Sequence, residues 1–418
     1  NPLYLQVLLL TGQYERAVKY VFESSEIDAV HLAVTLAYYG LLRVVGSDEN
    51  AGKTGAGMSL LRIDSKGFAC IDYPHLIGHY VRGFKLSDPR VAAEYLFEIC
   101  LCKNTQNEAF EQSQIRLCQQ AVRELVLETR EFVILLGRID RDGTRIPGVI
   151  ERRKKLLYLS DEASYLHHIA EKAARTAEDE GRPYDCILLY QLSEEYDTVL
   201  ATVNSILGDF LASVDFRTPL EDVVSGELIK GETNIVKLAR RLLKMYNGSA
   251  EIVAKTSVRQ RETCDMLLQL VDIAVDFTSS HPDLVDILAR VKGLELTPCS
   301  PDLSIDKIRS KAQDFNSLDE SLAKNVPNVL IIEMSCISQL LYELQQGYDS
   351  VQLERLNGDK IKGATGEENV VVATNSSKEQ KMHQLRQMSK HCMVYAGMVQ
   401  YNMPQEVYRM LVSLEVDI

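Results

Sequence analysis

Apolar residues recur at three- and four-residue steps along most of this chain. Cys118, Ala121, Val122, Leu125, Thr129, Phe132, Val133 and Leu136 fall on one stripe of a long helix, while Arg123, Glu124, Glu128, Arg130 and Glu131 fall mostly off it. Leu330, Met334, Ile337, Leu340, Leu341 and Leu344 make a second stripe. Two segments, Val30 to Leu42 and Met266 to Phe277, are apolar around most of a helical circumference, which predicts helices touched on two or more sides. Val370 to Val372 is β-branched but stands alone in a Gly- and Asn-rich stretch, and a sheet needs partners. The pattern predicts an all-α fold of about fifteen to eighteen helices.

Punctuation supports that reading. Asp88-Pro89, Thr218-Pro219, His281-Pro282 and Met403-Pro404 each precede an apolar-periodic run, where a helix is expected to start. Pro327 should begin or kink the Leu330 helix. Flexible loops are expected at 46–57 and 347–378, the second as a mobile insertion. Neither loop divides the chain into halves of different composition, so residues 1–418 are expected to form a single α-helical solenoid. Gly12-Gln-Tyr14 and Gly181-Arg-Pro-Tyr184 echo each other at the heads of helices. No fixed repeat period follows, which fits an irregular stack of antiparallel helix pairs rather than a regular array.

Composition excludes several classes. No apolar run approaches the ~20 residues that span a bilayer. A net charge of −13 makes a poor general nucleic-acid binder. The nine cysteines contain no C-x-x-C pair and are mostly flanked by apolar residues, which predicts buried thiols in a reducing compartment. The chain starts at Asn1-Pro2 without Met and is expected to be a fragment.

Candidate chemistry is sparse. Gly46-Ser-Asp-Glu-Asn-Ala-Gly52-Lys53-Thr54 places five residues before Gly-Lys-Thr where a phosphate-binding loop needs four, and its two acidic residues would face the phosphates. Leu330-Ile-Ile332-Glu333 could pass as a magnesium-binding strand end, but it sits in a helical stripe. His75 and His79 share a helix face without a third ligand, and His167 and His168 point to different faces. His31, inside an apolar run, is expected to be a hydrogen-bonded core histidine. There is no G-x-S-x-G elbow. The basic run Glu151-Arg152-Arg153-Lys154-Lys155 reads as a solvated turn ahead of Leu156 and Leu157, or else as a site for an acidic partner. No catalytic, metal or cofactor residue is assigned. Elimination leaves a binding module whose inter-helix grooves accept short helices or extended peptides.

Several segments carry a resemblance. Leu8-Leu-Leu-Thr-Gly-Gln-Tyr14-Glu-Arg-Ala17, Ala29-Val-His31-Leu-Ala33 and Leu36-Ala-Tyr-Tyr-Gly40 form one set of landmarks. Asp88-Pro89-Arg90 with Ala93-Glu-Tyr95 is another. The most specific stretch is Arg123-Glu-Leu-Val-Leu-Glu128-Thr-Arg130-Glu-Phe132, followed by Leu136-Gly137, Asp142-Gly143 and Arg145-Ile-Pro147-Gly148-Val149-Ile150. Ala396-Gly397-Met398 with Tyr401 marks the end. With these the chain resembles the nucleoporin-interacting component family, linker scaffold nucleoporins of the nuclear pore inner ring. The resemblance implies an irregular α-solenoid that folds back on itself, related to coat scaffolds, and no catalytic activity or cofactor. It implies a scaffold supporting nucleocytoplasmic transport at the nuclear envelope. The implied partners are a membrane-associated linker nucleoporin on the solenoid, and large scaffold nucleoporins and a channel nucleoporin trimer through a linker and coiled coil that precede this segment. The polar stretch at 347–378 departs from the family pattern. Two other readings remain: a vesicle-coat or tethering solenoid, and, more remotely, a helical enzyme using Gly52-Lys53-Thr54. The residues of the partner-binding groove are not legible.

Overall fold

The computed structural model describes residues 2–45, 59–64, 66–102, 108–139, 145–216, 218–220, 234–357, 367–399 and 405–416. Its contacts divide the chain into two compact units, Asn1–Val199 and Leu200–Ile418.

The first unit opens with α1 (Pro2–Leu10), α2 (Tyr14–Phe22) and α3 (Glu26–Tyr38). Gly12 turns the chain between α1 and α2 at φ +72°, a conformation that only glycine adopts cheaply. Ser25 caps α3 by accepting from the Asp28 amide. A short hairpin follows, β1 (Leu61–Ile63) antiparallel to β2 (Ala69–Ile71), with Leu61 opposite Ile71. Helices α4 (Tyr73–Arg82) and α5 (Pro89–Phe97) each start on an aspartate cap with proline in the first turn. Helix α6 (Glu108–Thr129) and short α7 (Phe132–Leu135) lead to a second hairpin, β3 (Gly137–Ile139) on β4 (Arg145–Pro147), and then to α8 (Val149–Arg152). Next, α9 (Glu162–Tyr165) runs through a π-helical turn, Leu166–Glu171, into α10 (Lys172–Asp179), and α11 (Pro183–Leu192) packs on α10 after a turn at Gly181.

Helix α12 (Tyr196–Ala212) begins before the division and ends after it. The second unit continues with α13 (Ile235–Asn247), α14 (Ala250–Lys255), α15 (Val258–Phe277), α16 (Leu284–Leu294), α17 (Ile305–Asp314) and α18 (Glu320–Ala323). Three longer elements complete it: α19 (Val326–Asn357), α20 (Glu367–Met398) and α21 (Gln405–Val416). Both α20 and α21 pack on α19. Their shared core holds Ile308, Phe315, Leu330, Met334, Tyr395 and Leu411. Asn325 donates to Gly208 O at 2.9 Å, where α12 approaches so closely that a Cβ on Gly208 would stand 2.9 Å from Ser321 O.

The fold is helical as expected, with local departures. The stripe from Cys118 to Leu136 is not one helix: Arg130 takes φ +57° and ends α6, and α7 restarts at Phe132. Leu125 and Phe132 are buried, whereas Val133, assigned to the same stripe, is 59% exposed. Leu125→Ala is therefore expected to cost about 2–3 kcal/mol in urea unfolding and Val133→Ala less than about 0.5. Equal losses would mean that the helix continues unbroken.

Of the two all-apolar segments, α15 is buried on both sides, but Tyr38 and Tyr39 at the end of α3 lie open to solvent. His31 is exposed on α3 rather than in the core. Its ring sits on the helix flank that meets Tyr95, so the apolar run around it does not enclose it. The two hairpins were not anticipated, because three-residue strands carry too little alternation to register. The stretch 347–378 is helical at both ends, since α19 continues to Asn357 and α20 begins at Glu367. A mid-helix glycine such as Gly347 costs only about 1 kcal/mol, so it does not stop a helix of 32 residues. Val370 to Val372 belongs to α20. The loop expected at 46–57 and the segments after Leu220 and before Gln405 lie outside the described residues.

Candidate functional site

The landmark stretch from Arg123 to Ile150 builds a joint in the first unit. At the left-handed Arg130, the guanidinium turns onto the buried Asp185 of α11, at 2.6 Å from Nη2 and 3.2 Å from Nε. Arg182 approaches the same carboxylate at 3.7 Å and donates to Leu127 O at 2.9 Å, which satisfies a carbonyl near the end of α6. Gly137 and Gly148 face each other across the second hairpin. A Cβ on Gly148 would lie 2.3 Å from Leu135 O and 2.5 Å from Gly137 N. Arg145 locks the hairpin to its surroundings through Glu151 at 3.2 Å and Leu192 O at 3.3 Å. Arg123 donates to His168 O at 3.0 Å, a carbonyl in the π-helical turn, and burial pulls its guanidinium below the ordinary value. The guanidiniums of Arg123, Arg130, Arg145 and Arg182 thus each hold a backbone carbonyl or a carboxylate in this joint.

The titratable candidates are similarly occupied. His31 contacts Ile27 O at 2.8 Å and the Tyr95 hydroxyl at 3.0 Å. His79 pairs with Glu26 at 2.7 Å, and the His75 ring stands 6.3 Å from it. His167 contacts Glu171 at 2.5 Å, and His168 contacts Ser164 O at 2.9 Å. Among the described residues no three His, Cys, Asp or Glu are grouped to hold a metal ion. The segment Gly46 to Thr54 lies outside the described residues. In the basic run, Glu151 is buried, Arg152 donates to Pro147 O at 3.2 Å, and Arg153 pairs with Glu94 at 3.3 Å. That is the solvated-turn reading, with Leu157 buried behind it.

All nine cysteines are free and buried. Burial pushes the Cys264 and Cys336 thiols up to about 12, which removes them as nucleophiles near neutral pH.

Glu333 lies on α19, fully buried, and accepts from Cys392 Sγ at 3.0 Å. Burial raises its pKa, and the hydrogen bond from Cys392 opposes that rise only in part. A folded-state pKa above the unfolded one means that the contribution is full below the ordinary carboxylate range. It is lost as pH rises through the raised value. Glu333→Gln is expected to raise the urea midpoint at pH 8 and to change it little at pH 4, below the ordinary carboxylate value. Parallel wild-type and variant profiles would contradict this.

What the molecule offers outward is shape. On α1, Leu3, Tyr4, Val7 and Leu10 are exposed, and Leu8 is its buried residue. In the second unit a cleft of about 350 Å³ opens beside α17, lined by the apolar Leu303 and Phe315, by Tyr395, and by Glu295, Lys307, Lys311 and Asp314, whose charges balance. Sequence reasoning missed this cleft because its walls come from segments as far apart as Glu295 and Tyr395. Among the described residues no helix is long and apolar enough to cross a membrane.

Residues 1–410 match the family described as Nup93/Nic96. Nucleoporin NIC96 of Saccharomyces cerevisiae is 40% identical over 416 residues, covering 99% of this chain and 43% of its own length. Nuclear pore complex protein Nup93 of Xenopus tropicalis is 27% identical over 99% of this chain and 43% of its own. The crystal structure of Chaetomium thermophilum Nic96 SOL superposes with a TM-score of 0.70 at 30% identity, covering 98% of this chain and 55% of that one. The chain thus spans under half the length of the curated relatives it matches.

Proposed function

The chain belongs to the Nup93/Nic96 family of nucleoporins, and from that premise we propose that it is a structural scaffold of the nuclear pore complex at the nuclear envelope. The family is one of helical solenoids and not of enzymes. The observation that carries the reading is the 40% identity to a nucleoporin over 99% of the chain. The engaged histidines, buried thiols and arginine-locked joint support it, since each serves packing rather than turnover.

The finer part of the proposal places the chain in the inner ring, where it supports nucleocytoplasmic transport and binds other nucleoporins through its helical surfaces. Its own partner is a membrane-associated linker nucleoporin. Contacts with large scaffold nucleoporins and a channel nucleoporin trimer belong to other parts of the full protein. Affinity capture from nuclear-envelope extract on the immobilised chain, read by mass spectrometry, tests this. Nucleoporins are the expected capture. Vesicle-coat subunits without nucleoporins would move the chain to the coat reading.

A further inference from the structure

The second unit buries one carboxyl group with no cation against it. Glu333 of α19 lies where that helix meets α20 and the segment after α16, and none of its surface is exposed. Its Oε1 accepts from Cys392 Sγ of α20 at 3.0 Å, and its Oε2 has no hydrogen-bond partner. The groups facing it from each element packed around it are few. Cys336 stands on its own helix, Cys392 and Tyr395 on α20, and Thr297 and Cys299 on the segment after α16. The cation that acts on it is Lys311 of α17, whose influence is the weakest of its neighbours' and which forms no ion pair with it. Lys292 of α16 acts on Cys299, and Asp314 of α17 on Tyr395.

A carboxylate taken out of water without a cation in contact costs more than keeping the proton. Thiols are weak donors and do not replace the lost water. The neutral acid therefore belongs to the closed contact between α19 and α20. A charge on Glu333 needs water, and water reaches it only where α20 parts from α19.

We propose that Glu333 is a protonation latch: as the neutral acid it holds α20 on α19, and when it takes up charge this contact opens locally and brings Cys392 to solvent. The latch goes beyond the scaffold reading and does not depend on it. It makes one seam of the second unit sensitive to pH while the rest of the unit stays closed. Cys264 of α15 is the reference, since its thiol is also buried but its acidic neighbour is the exposed Asp265.

The test is pulsed alkylation of the whole chain with iodoacetamide between pH 5 and pH 8, with the labelled cysteines quantified by mass spectrometry. A buried thiol reacts only as the thiolate of an opened state, so both rates rise about tenfold per pH unit below the free-thiol value. Opening linked to one ionisation adds up to about another tenfold per unit for Cys392, until the raised value of Glu333 is passed. Cys392 labelling is thus expected to climb more steeply than that of Cys264. Glu333→Gln keeps an acceptor for Cys392 but cannot ionise, and it should bring the two slopes together. Circular dichroism verifies the fold of the variant; should it melt early, the wild-type comparison of Cys392 with Cys264 decides alone. Equal slopes in the wild type would overturn the proposal, since shallow ones mean that Glu333 gates nothing and steep ones that the whole unit unfolds. A steep Cys392 slope kept by Glu333→Gln would assign the opening to another group and overturn it as well.

Discussion

Replacing Gly148 with alanine is expected to destabilise the first unit by about 4 kcal/mol or more, placing it among the most damaging single changes in the chain. The cause is backbone meeting backbone. The added Cβ would stand 2.3 Å from Leu135 O and 2.5 Å from Gly137 N, and no side chain can rotate away to make room. Relief requires the β3–β4 hairpin to lift from α7, which exposes Leu135, Leu136 and Ile150, all buried. Gly12→Ala is the control, since nothing lies within 4 Å of its added Cβ and only its φ of +72° is penalised. That change should cost about 1–2 kcal/mol. Urea unfolding followed by circular dichroism measures both. A Gly148→Ala loss no larger than that of Gly12→Ala would show that the hairpin does not press on α7.

Replacing Asp185 with alanine is expected to cost about 3 kcal/mol. Breaking a buried ion pair typically costs about 3–5 kcal/mol, and the lower end applies here because the Arg130 side chain is 63% exposed and partly screened. The aspartate joins α11 to the end of α6 through Arg130, and Arg182 reaches both the carboxylate and Leu127 O. Arg130 also adopts a left-handed φ of +57°, which its charge contact offsets. Arg130→Gly relieves the backbone and removes the contact, so it should cost less than Asp185→Ala. A double-mutant cycle between the two positions should give a coupling above about 1 kcal/mol. Additive losses would mean that the pair is held by its neighbours and contributes nothing itself.

The landmark stretch shows what the sequence discloses and what it hides. Helical periodicity located α6 and α19, and Asp88-Pro89 marked the start of α5, because local spacing and capping chemistry decide such elements. The break at Arg130 was invisible, since a left-handed arginine is stabilised by Asp185, 55 residues away. His31 was misplaced for a related reason: the apolar run around it covers only part of the helix, and the side that meets Tyr95 is open. Gly137 and Gly148 both stand in the landmark stretch, but their close mutual approach appears only when the hairpin is built. The cleft beside α17 was illegible for the same cause, being assembled from segments that periodicity treats one at a time.

The central claim is that this chain works by presenting a correctly stacked helical surface at the nuclear pore. Its most direct measurement is the position of the chain, fused to a fluorescent protein, in living cells beside a pore marker. A punctate nuclear rim coincident with the marker is predicted, together with its loss in Gly148→Ala. A diffuse signal, or puncta on coated vesicles, from the wild-type chain would contradict the account.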